Sequence, residues 1–289
     1  MKVPTNKLRD AVRYYGLELE PIYGVDESKH LVFELTKHFF GFDRLKLVLE
    51  PDHRLTESEM LSLHFAVKDL KRHKPVQYIT GIAHFSGHRF RVNPSVLIPR
   101  PETEQLVTIA VEFCQSNKEV RRILDVGTGS GCIAICLKNA LPSVQVSACD
   151  ISKEAINTAK INADELSAEV DFFECDIRLW TFGQQAVGYD LIVSNPPYVT
   201  ESDKKLMKPN VLDWEPHTAL FAPENDPLYF YRLLANFSMH QLNANGMLMV
   251  EINEFLGDAV KQLFDETGLK KATVITDIHG KERYVTAKK

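Results

Sequence analysis

The sequence predicts an α/β protein: a doubly wound, mainly parallel sheet of seven strands, preceded by a small helical domain and a β-hairpin linker. From residue 121 onward, short apolar runs alternate with helical patterns, which is typical of repeated βα units with right-handed crossovers. Residues 1–75 contain helical periodicities, and residues 76–100 change to alternating patterns with turn residues. We therefore divide the 289 residues into a helical domain at 1–75, a hairpin linker at 76–100 and a sheet domain at 101–289.

Two amphipathic segments predict the helical domain. Asp26 is expected to cap the first helix, and Thr56 to Glu59 match a capping box before the second. The apolar residues that recur at helical spacing are Leu31, Val32, Leu35 and Phe39, then Met60, Leu63, Val67 and Leu70. Basic and acidic residues are interleaved in both segments, as on solvated helix faces. No residue of this domain indicates a chemical role.

The linker combines a predicted hairpin with a proline-bracketed arginine. Residues 78–81 and 88–92 alternate and carry turn residues, so we expect them to pair as its two strands. Arg100 then lies between two prolines, and a helix is expected to start at Pro101 or Glu102. Two prolines fix the direction of an arginine side chain more firmly than a spacer requires.

Seven strand patterns separated by helical ones predict the sheet domain. The strands are expected at 123–126, 144–150, 170–176, 189–193 and 247–251, and near Thr273 and Arg283. The helices are expected at 132–139, after a Ser152 cap, at 227–242 and at 255–267. In such sheets, ligands bind beyond the carboxyl ends of the strands, where the strand order reverses. We therefore expect a binding site at that edge.

A glycine turn follows the first of these strands, with Gly127, Gly129 and Gly131 at every second position. The dinucleotide-binding fingerprint needs its third glycine one residue later, and no Walker lysine follows, which disfavours nucleoside triphosphate hydrolysis. Absent side chains let the backbone approach a ligand closely, and N–H groups at the start of the next helix can bind a carboxylate.

Acidic residues end the next two predicted strands. Asp150 lies about 20 residues beyond the glycine turn, where an acid can accept both hydroxyls of a ribose. Asp176 ends the following strand and is placed to accept a hydrogen bond from an exocyclic adenine amine. The glycines, Asp150 and Asp176 in this order indicate S-adenosylmethionine as the cofactor, with S-adenosylhomocysteine as its product.

The fourth strand ends in Asn195-Pro196-Pro197-Tyr198. The prolines end the strand and leave the asparagine on a stiff backbone. The side-chain oxygen of Asn195 and the carbonyl oxygen of Pro196 can accept the two hydrogens of a planar amino or amide group. The ring of Tyr198 can stack on that group. The tetrad by itself does not distinguish a glutamine amide from an adenine amine.

The carboxyl-terminal two-thirds of the chain resembles class I S-adenosylmethionine-dependent methyltransferases, through the glycine turn, Asp150 and the tetrad. Further stretches resemble the bacterial release-factor glutamine methyltransferases: PVQYITG at 75–81, IPRPETE at 98–104 and EPHTAL at 215–220. The resemblance, which covers nearly the whole chain, implies methylation of the glutamine in the Gly-Gly-Gln loop of class I peptide chain release factors, on the side-chain amide nitrogen. It also implies that the helical domain docks this partner.

The resemblance further implies the residues of the site. The cofactor would be bound by Asp125, Gly127, Thr128, Gly129, Ser130, Gly131, Asp150, Ile151, Asp176, Ile177 and Asn195. The catalytic residues would be Asn195, Pro196 and Tyr198, which together with Pro197 would also contact the glutamine. Two positions depart from the family pattern. Ile177 replaces a common aromatic residue, which makes Trp180 an alternative partner for adenine, and Pro227 replaces a common glycine.

A DNA methyltransferase acting on the exocyclic amine of adenine is the alternative, because it would use the same tetrad on a flipped-out base. The net charge of −5 and the balanced charge of the helical domain argue against a nucleic-acid substrate. The five cysteines lack metal-ligand spacing, and their odd number without a signal peptide suits a reducing compartment. No apolar run is long enough to span a membrane. We expect a cytoplasmic monomer without a metal.

Overall fold

The structure, a computed structural model, describes residues 5–50, 52–179, 188–205, 207–223 and 226–289. It divides into two compact units. The helical unit consists of Met1–Gly81 and Lys208–Trp214, and the sheet unit consists of Ile82–Met207 and Glu215–Lys289. The segment predicted as a linker is therefore divided between the two units, with its hairpin in the sheet unit.

The elements of both units have the following bounds. The helices are α1 Leu8–Tyr23, α2 Val25–Phe40, α3 Arg44–Leu49, α4 Glu57–Leu70, α5 Val76–Thr80, α6 Pro101–Ser116, α7 Cys132–Ala140, α8 Lys153–Glu165, α9 Glu201–Lys204, α10 Pro209–Leu212, α11 His217–Leu220, α12 Tyr229–Gln241 and α13 Gly257–Thr267. The strands are β1 Ile82–Phe85, β2 His88–Arg91, β3 Arg122–Val126, β4 Gln145–Asp150, β5 Val170–Glu174, β6 Tyr189–Ser194, β7 Leu242–Glu251, β8 Lys270–Thr276 and β9 Glu282–Lys288. The strands and helices predicted for the sheet domain are present, with ends that differ by a few residues.

Apolar side chains of α1, α2 and α4 form the core of the helical unit, among them the fully buried Leu8, Leu35 and Leu63. The predicted capping box is confirmed at the start of α4. The side chain of Thr56 accepts the backbone N–H of Glu59, and the Glu59 carboxylate accepts the backbone N–H of Thr56. Two otherwise unpaired donors of the helix terminus are thereby satisfied.

Two predictions of local structure are wrong. The N-cap of α2 is Gly24 rather than Asp26, which lies in the first turn, where the helix dipole favours a negative charge. Residues 78–80 belong to the helix α5, which ends at Gly81 in the left-handed conformation (φ 72°), and the hairpin begins only afterwards, with β1. The second error concerns a segment of a few residues, in which helical and strand patterns look alike.

The larger sheet confirms the predicted seven-stranded, mainly parallel architecture. Its strand order is β5-β4-β3-β6-β7-β9-β8. Strands β3 to β7 pair in parallel, whereas β9 is antiparallel to both β7 and β8. The chain runs outward from β3 through β4 to β5 and then returns to place β6 on the other side of β3. The order therefore reverses between β3 and β6, whose carboxyl ends carry the glycine turn and Asn195.

Helices cover both faces of this sheet, as a doubly wound fold requires. One core contains side chains of α6 and α7, including Leu106 and Ile135, and the other contains side chains of α12 and α13, including Leu234 and Phe264. Within the described ranges, no group of three metal-binding side chains occurs, and no helix is long and apolar enough to cross a membrane.

Candidate active site

A cavity of about 460 Å³ opens at the carboxyl edge of the parallel strands. Its volume falls within the range of roughly 300–1,000 Å³ that is typical of small-molecule sites. It brings together many of the residues predicted to bind cofactor or substrate: Gly127, Gly129, Asp150, Ile151, Asp176, Ile177, Asn195, Pro196 and Pro197. All of them end or follow β3, β4, β5 or β6, so the reversal of strand order determines where the cavity lies.

The glycine turn forms one wall of the cavity. The backbone N–H groups of Gly127 and Thr128 both donate to the carbonyl oxygen of Cys149, at 2.9 and 3.0 Å, which fixes the turn against β4. Gly127 and Gly129 have φ angles of 75° and 55°, a left-handed conformation that favours glycine. A Cβ atom at either position would meet no protein atom within 4 Å. Both glycines therefore leave open space along the cavity, as a ligand in contact with the backbone requires.

Gly131 does not line the cavity, and its predicted contact with the cofactor stays a prediction. A Cβ atom at this position would stand 3.0 Å from both the Cβ of Ala159 and the Cδ1 of Ile135. The third glycine thus allows α7 to pack closely against α8. The sequence pattern of alternate glycines cannot separate this packing role from a ligand-binding one.

Asp125, Thr128 and Ser130 also lie behind the cavity wall, where all three are buried. The Thr128 hydroxyl donates to Oδ2 of Asp125 at 2.6 Å, which braces the turn from within. Burial raises the pKa of Asp125 from its ordinary value of 3.8 to about 7. Asp125 and Thr128 therefore support the glycine turn. Direct contacts of Asp125, Thr128 and Ser130 with a cofactor stay a prediction.

The raised pKa of Asp125 predicts a pH dependence of folding stability. The unfolded chain releases this proton at a lower pH than the folded chain, so the stability contribution of Asp125 decreases as the pH rises from about 4 to about 7. The decrease is at most about 1.4 kcal/mol per pH unit. We expect Asp125→Asn to remove this pH dependence. The free energy of unfolding of the variant, measured by urea denaturation, should therefore increase relative to that of the wild type between about pH 5 and about pH 8.

Asp265→Asn, at an exposed position of α13, is the matched control and should show no such shift. An equal difference between Asp125→Asn and wild type at both pH values would contradict the assignment.

Asp150 links the glycine turn to the next helix. Its Oδ2 accepts the backbone N–H of Gly129 and its Oδ1 accepts the backbone N–H of Ser152, both at 2.9 Å. Burial raises the pKa of Asp150, while the backbone donors act in the opposite direction. The predicted cap is confirmed, since the Ser152 hydroxyl accepts the backbone N–H of Ala155. Each carboxylate oxygen retains a lone pair, so Asp150 can accept hydroxyl groups of a ligand in the cavity.

Asp176 lines the cavity two residues beyond the end of β5, but Arg178 already engages its carboxylate. The Arg178 Nε lies 2.8 Å from Oδ1, its Nη2 lies 2.7 Å from Oδ2, and its backbone N–H also donates to Oδ1. This bidentate contact lowers the pKa of Asp176. An adenine amine would therefore compete with Arg178 for the carboxylate of Asp176. The sequence did not indicate the contact between Arg178 and Asp176.

Aromatic side chains that were not predicted complete the wall near Ile177. Tyr229 and Phe230, in the first turn of α12, line the cavity together with Phe221. Trp180, the predicted alternative partner for adenine, lies outside the described residues. The sequence feature that could have predicted these rings is the pair Tyr229-Phe230 at the start of a helix. The pair comes directly after the segment in which Pro227 departs from the family pattern.

The tetrad is divided between the cavity and the protein interior. Asn195, Pro196 and Pro197 line the cavity, and the Asn195 Nδ2 donates to the Thr103 hydroxyl at 3.0 Å. Tyr198 does not line the cavity. Its ring packs against a core of the sheet unit, and its hydroxyl donates to Oε1 of Glu251 at 3.1 Å. Tyr198 thus lies apart from the cavity lining, and its stacking on a substrate amide stays a prediction.

Arg100 is held by a buried carboxylate. Its Nη2 lies 2.5 Å from Oε1 of Glu215, which is 3% exposed, and Oε2 of Glu215 accepts the backbone N–H of Ile98 at 3.2 Å. This contact joins the proline-bracketed segment to the stretch at 215–220. Both segments contribute to the cavity wall, through residues 95–97 and through Thr218 and Ala219. The contact between Arg100 and Glu215 thus connects two segments that contribute to the wall.

Comparison with known proteins gave two family models and many curated relatives. The model of the methyltransferase small domain matches residues 108–211, and that of the PrmC N-terminal domain matches residues 10–81. The release factor glutamine methyltransferase of Bacteroides thetaiotaomicron is 43% identical over 274 residues, covering 95% of this chain and 97% of the relative. That of Flavobacterium psychrophilum is 40% identical over 269 residues, covering 92% and 94%.

Among solved structures, a methyltransferase from Pyrococcus furiosus has a similar fold. It aligns with a TM-score of 0.50 at 14% identity and covers 81% of this chain and 98% of its own. At this identity the likeness concerns the fold alone. The curated relatives, in contrast, match nearly the full length of both chains.

Proposed function

The chain belongs to the release factor glutamine methyltransferase family, and we propose that it methylates the glutamine in the Gly-Gly-Gln loop of class I peptide chain release factors. The methyl group would come from S-adenosylmethionine, leaving S-adenosylhomocysteine, and the side-chain amide nitrogen would give up one of its two protons. One observation carries this proposal: Asn195 and Pro196 line the same cavity as the glycine turn and Asp150. Acceptors for a planar amide thus share one cavity with groups suited to a nucleoside.

The residues present fit S-adenosylmethionine. Gly127 and Gly129 leave open space beside the backbone, and Asp150 offers acceptors for ribose hydroxyls. The aromatic rings of Tyr229 and Phe230 supply an apolar surface for a base. When bound, the cofactor supplies an electrophilic methyl group.

Positioning by Asn195 and Pro196 is the central step of the proposed mechanism. An amide nitrogen is a poor nucleophile, because its lone pair is delocalised into the carbonyl group. The Oδ1 of Asn195 and the carbonyl oxygen of Pro196 would accept hydrogen bonds from the two N–H groups of the glutamine amide. They would thereby hold the amide nitrogen toward the methyl group. These bonds strengthen as positive charge develops on the nitrogen, so they stabilise the transition state more than the ground state. Orientation alone can contribute roughly 7–11 kcal/mol.

The reaction can be tested with radiolabelled S-adenosylmethionine and two acceptors. The full-length protein is incubated with either a class I release factor or double-stranded DNA, and the label in each is counted. We expect label in the release factor. Label in DNA, with none in the factor's glutamine, would identify an adenine amino-methyltransferase instead and refute the proposal.

We propose that the partners of this chain are class I release factors and that it acts on them in the cytoplasm. We further propose that it acts as a monomer and without direct contact to nucleic acid. The names of the curated relatives support the release factor as substrate. The acidic net charge of −5 supports a protein substrate over a polyphosphate one.

We propose that the helical unit docks the release factor. On α3, Leu45, Val48 and Leu49 follow i, i+3, i+4 spacing and are 67%, 75% and 70% exposed. Apolar side chains grouped on one exposed helix face are typical of protein-binding surfaces.

The double variant Leu45→Ser/Val48→Ser should lower the methylation rate of the intact release factor about tenfold, because apolar interface contacts are lost. The rate on a short Gly-Gly-Gln peptide should not change, because such a peptide would occupy only the cavity. Steady-state kinetics at low substrate concentration measure both rates. Leu17→Ser, which alters another exposed leucine, on α1, is the control. An equal loss on protein and peptide would show that α3 has only a structural role.

A further inference from the structure

Glu251, the last residue of β7, is a buried carboxylate that no motif of the sequence had indicated. It is 2% exposed. The Thr103 hydroxyl donates to its Oε2 at 2.7 Å, and the Tyr198 hydroxyl donates to its Oε1 at 3.1 Å. Burial raises the pKa of Glu251, whereas the hydrogen bonds from Thr103 and Tyr198 lower it. In its ionised form the carboxylate can only accept hydrogen bonds, so Glu251 then fixes the direction in which both hydroxyl protons point.

Thr103 relays this direction to Asn195. A hydroxyl has one proton, and the proton of Thr103 is used in the bond to Glu251, so its oxygen can only accept from a third group. That group is the Nδ2 of Asn195, at 3.0 Å. The opposite orientation of the amide would place Oδ1 against a hydroxyl oxygen that has no proton to give. The Glu251–Thr103 pair therefore selects one of the two amide orientations, the one that leaves Oδ1 of Asn195 for a ligand.

We propose that Thr103 and Glu251 are positioning residues for methyl transfer, which orient the Asn195 amide so that its oxygen, and not its nitrogen, faces the substrate. This inference rests on the proposed function, in which that oxygen accepts an N–H of the glutamine. The reversed Asn195 amide would place its Nδ2, a donor, against the N–H of the substrate glutamine, which is also a donor. The buried site supports such a relay, because a buried carboxylate is stabilised only when its oxygens are hydrogen-bonded. The same network gives Tyr198 a role: its hydroxyl satisfies the second oxygen of Glu251.

Thr103→Val and Thr103→Ser provide a matched pair for the test. Valine keeps the shape of threonine but removes the acceptor for Asn195, whereas serine keeps the hydroxyl. Nuclear magnetic resonance of the Asn195 side-chain amide, assigned by its absence in Asn195→Ala, reports the orientation without any turnover. We expect Thr103→Val to shift these amide resonances and abolish their protection from hydrogen exchange, and Thr103→Ser to retain both. Unchanged resonances in Thr103→Val would overturn the inference, whatever the protein methylates.

Kinetics give the second readout. Thr103→Val should lower the single-turnover rate of glutamine methylation about 10–100-fold, by analogy with the loss of an outer-shell partner that orients a metal ligand. Thr103→Ser should restore most of the rate, and Thr103→Val should add little loss in an Asn195→Ala background, since both changes act through one group. Thr108→Val, at an exposed position of the same helix, should have no effect. Equal losses in the valine and serine variants, or fully additive losses with Asn195→Ala, would mean that Thr103 supports only the fold.

Discussion

Replacing Asn195 with alanine is expected to lower turnover about 100-fold or more, the cost of losing one preorganised polar contact to a reacting group. Asn195→Ala removes the proposed acceptor for one N–H of the glutamine but leaves the backbone carbonyl of Pro196 in place. The loss should fall on the single-turnover rate constant, because the bond strengthens only as charge develops on the substrate nitrogen. Cofactor affinity should change little, since the glycine turn and Asp150 are untouched.

The measurement pairs single-turnover kinetics with calorimetric titration of S-adenosylmethionine. Asn236→Ala, at an exposed position of α12, is the matched control and should behave as wild type. Turnover of Asn195→Ala within a few-fold of wild type, at equal cofactor affinity, would show that this side chain does not hold the reacting amide.

Alanine at Gly127 is expected to lower cofactor affinity at least about tenfold, whereas alanine at Gly131 should mainly destabilise the fold by about 1–3 kcal/mol. The two glycines have nearly the same φ, 75° and 82°, so the strain of a left-handed alanine is similar in both variants. They differ in what the new methyl group meets. At 127 it enters open space along the cavity, and at 131 it stands 3.0 Å from Ala159 and Ile135.

Calorimetric titration of the cofactor and urea denaturation separate the two outcomes. The comparison is internal, because each variant serves as the control for the other. A larger loss of affinity in Gly131→Ala than in Gly127→Ala, with little loss of stability, would contradict the assignment of these glycines to packing and cavity.

Polar and glycine residues at strand ends made much of the site predictable from the sequence. Gly127, Gly129, Asp150 and Asn195 end or follow three parallel strands, whose carboxyl ends must meet at one edge of the sheet. Local periodicity determines such strands, so their ends can be located without knowing the fold. Tyr198 shows the limit of this reasoning. It lies three residues after Asn195, but its partly buried side chain packs against a core of the sheet unit rather than lining the cavity, since the path of the chain after two prolines depends on tertiary packing.

The remaining parts of the site depend on contacts between distant segments. Thr103 and Glu251 are separated by 148 positions, and Arg100 and Glu215 by 115, so no spacing rule relates either pair. The insertion of β9 between β7 and β8 is likewise a long-range pairing. Single-sequence patterns carry no information about which distant residues meet, and hence the relay behind Asn195 appeared only in the structure.

Fragmentation mass spectrometry of a class I release factor, after incubation with the full-length protein and S-adenosylmethionine, tests glutamine methylation most directly. The peptide that contains the Gly-Gly-Gln sequence should gain one methyl group, with fragment ions placing it on the glutamine side chain. The same peptide should remain largely unmodified with Asn195→Ala over the same time. A methyl group on any other residue, or an unmodified factor after complete incubation with the wild-type protein, would contradict the proposed function.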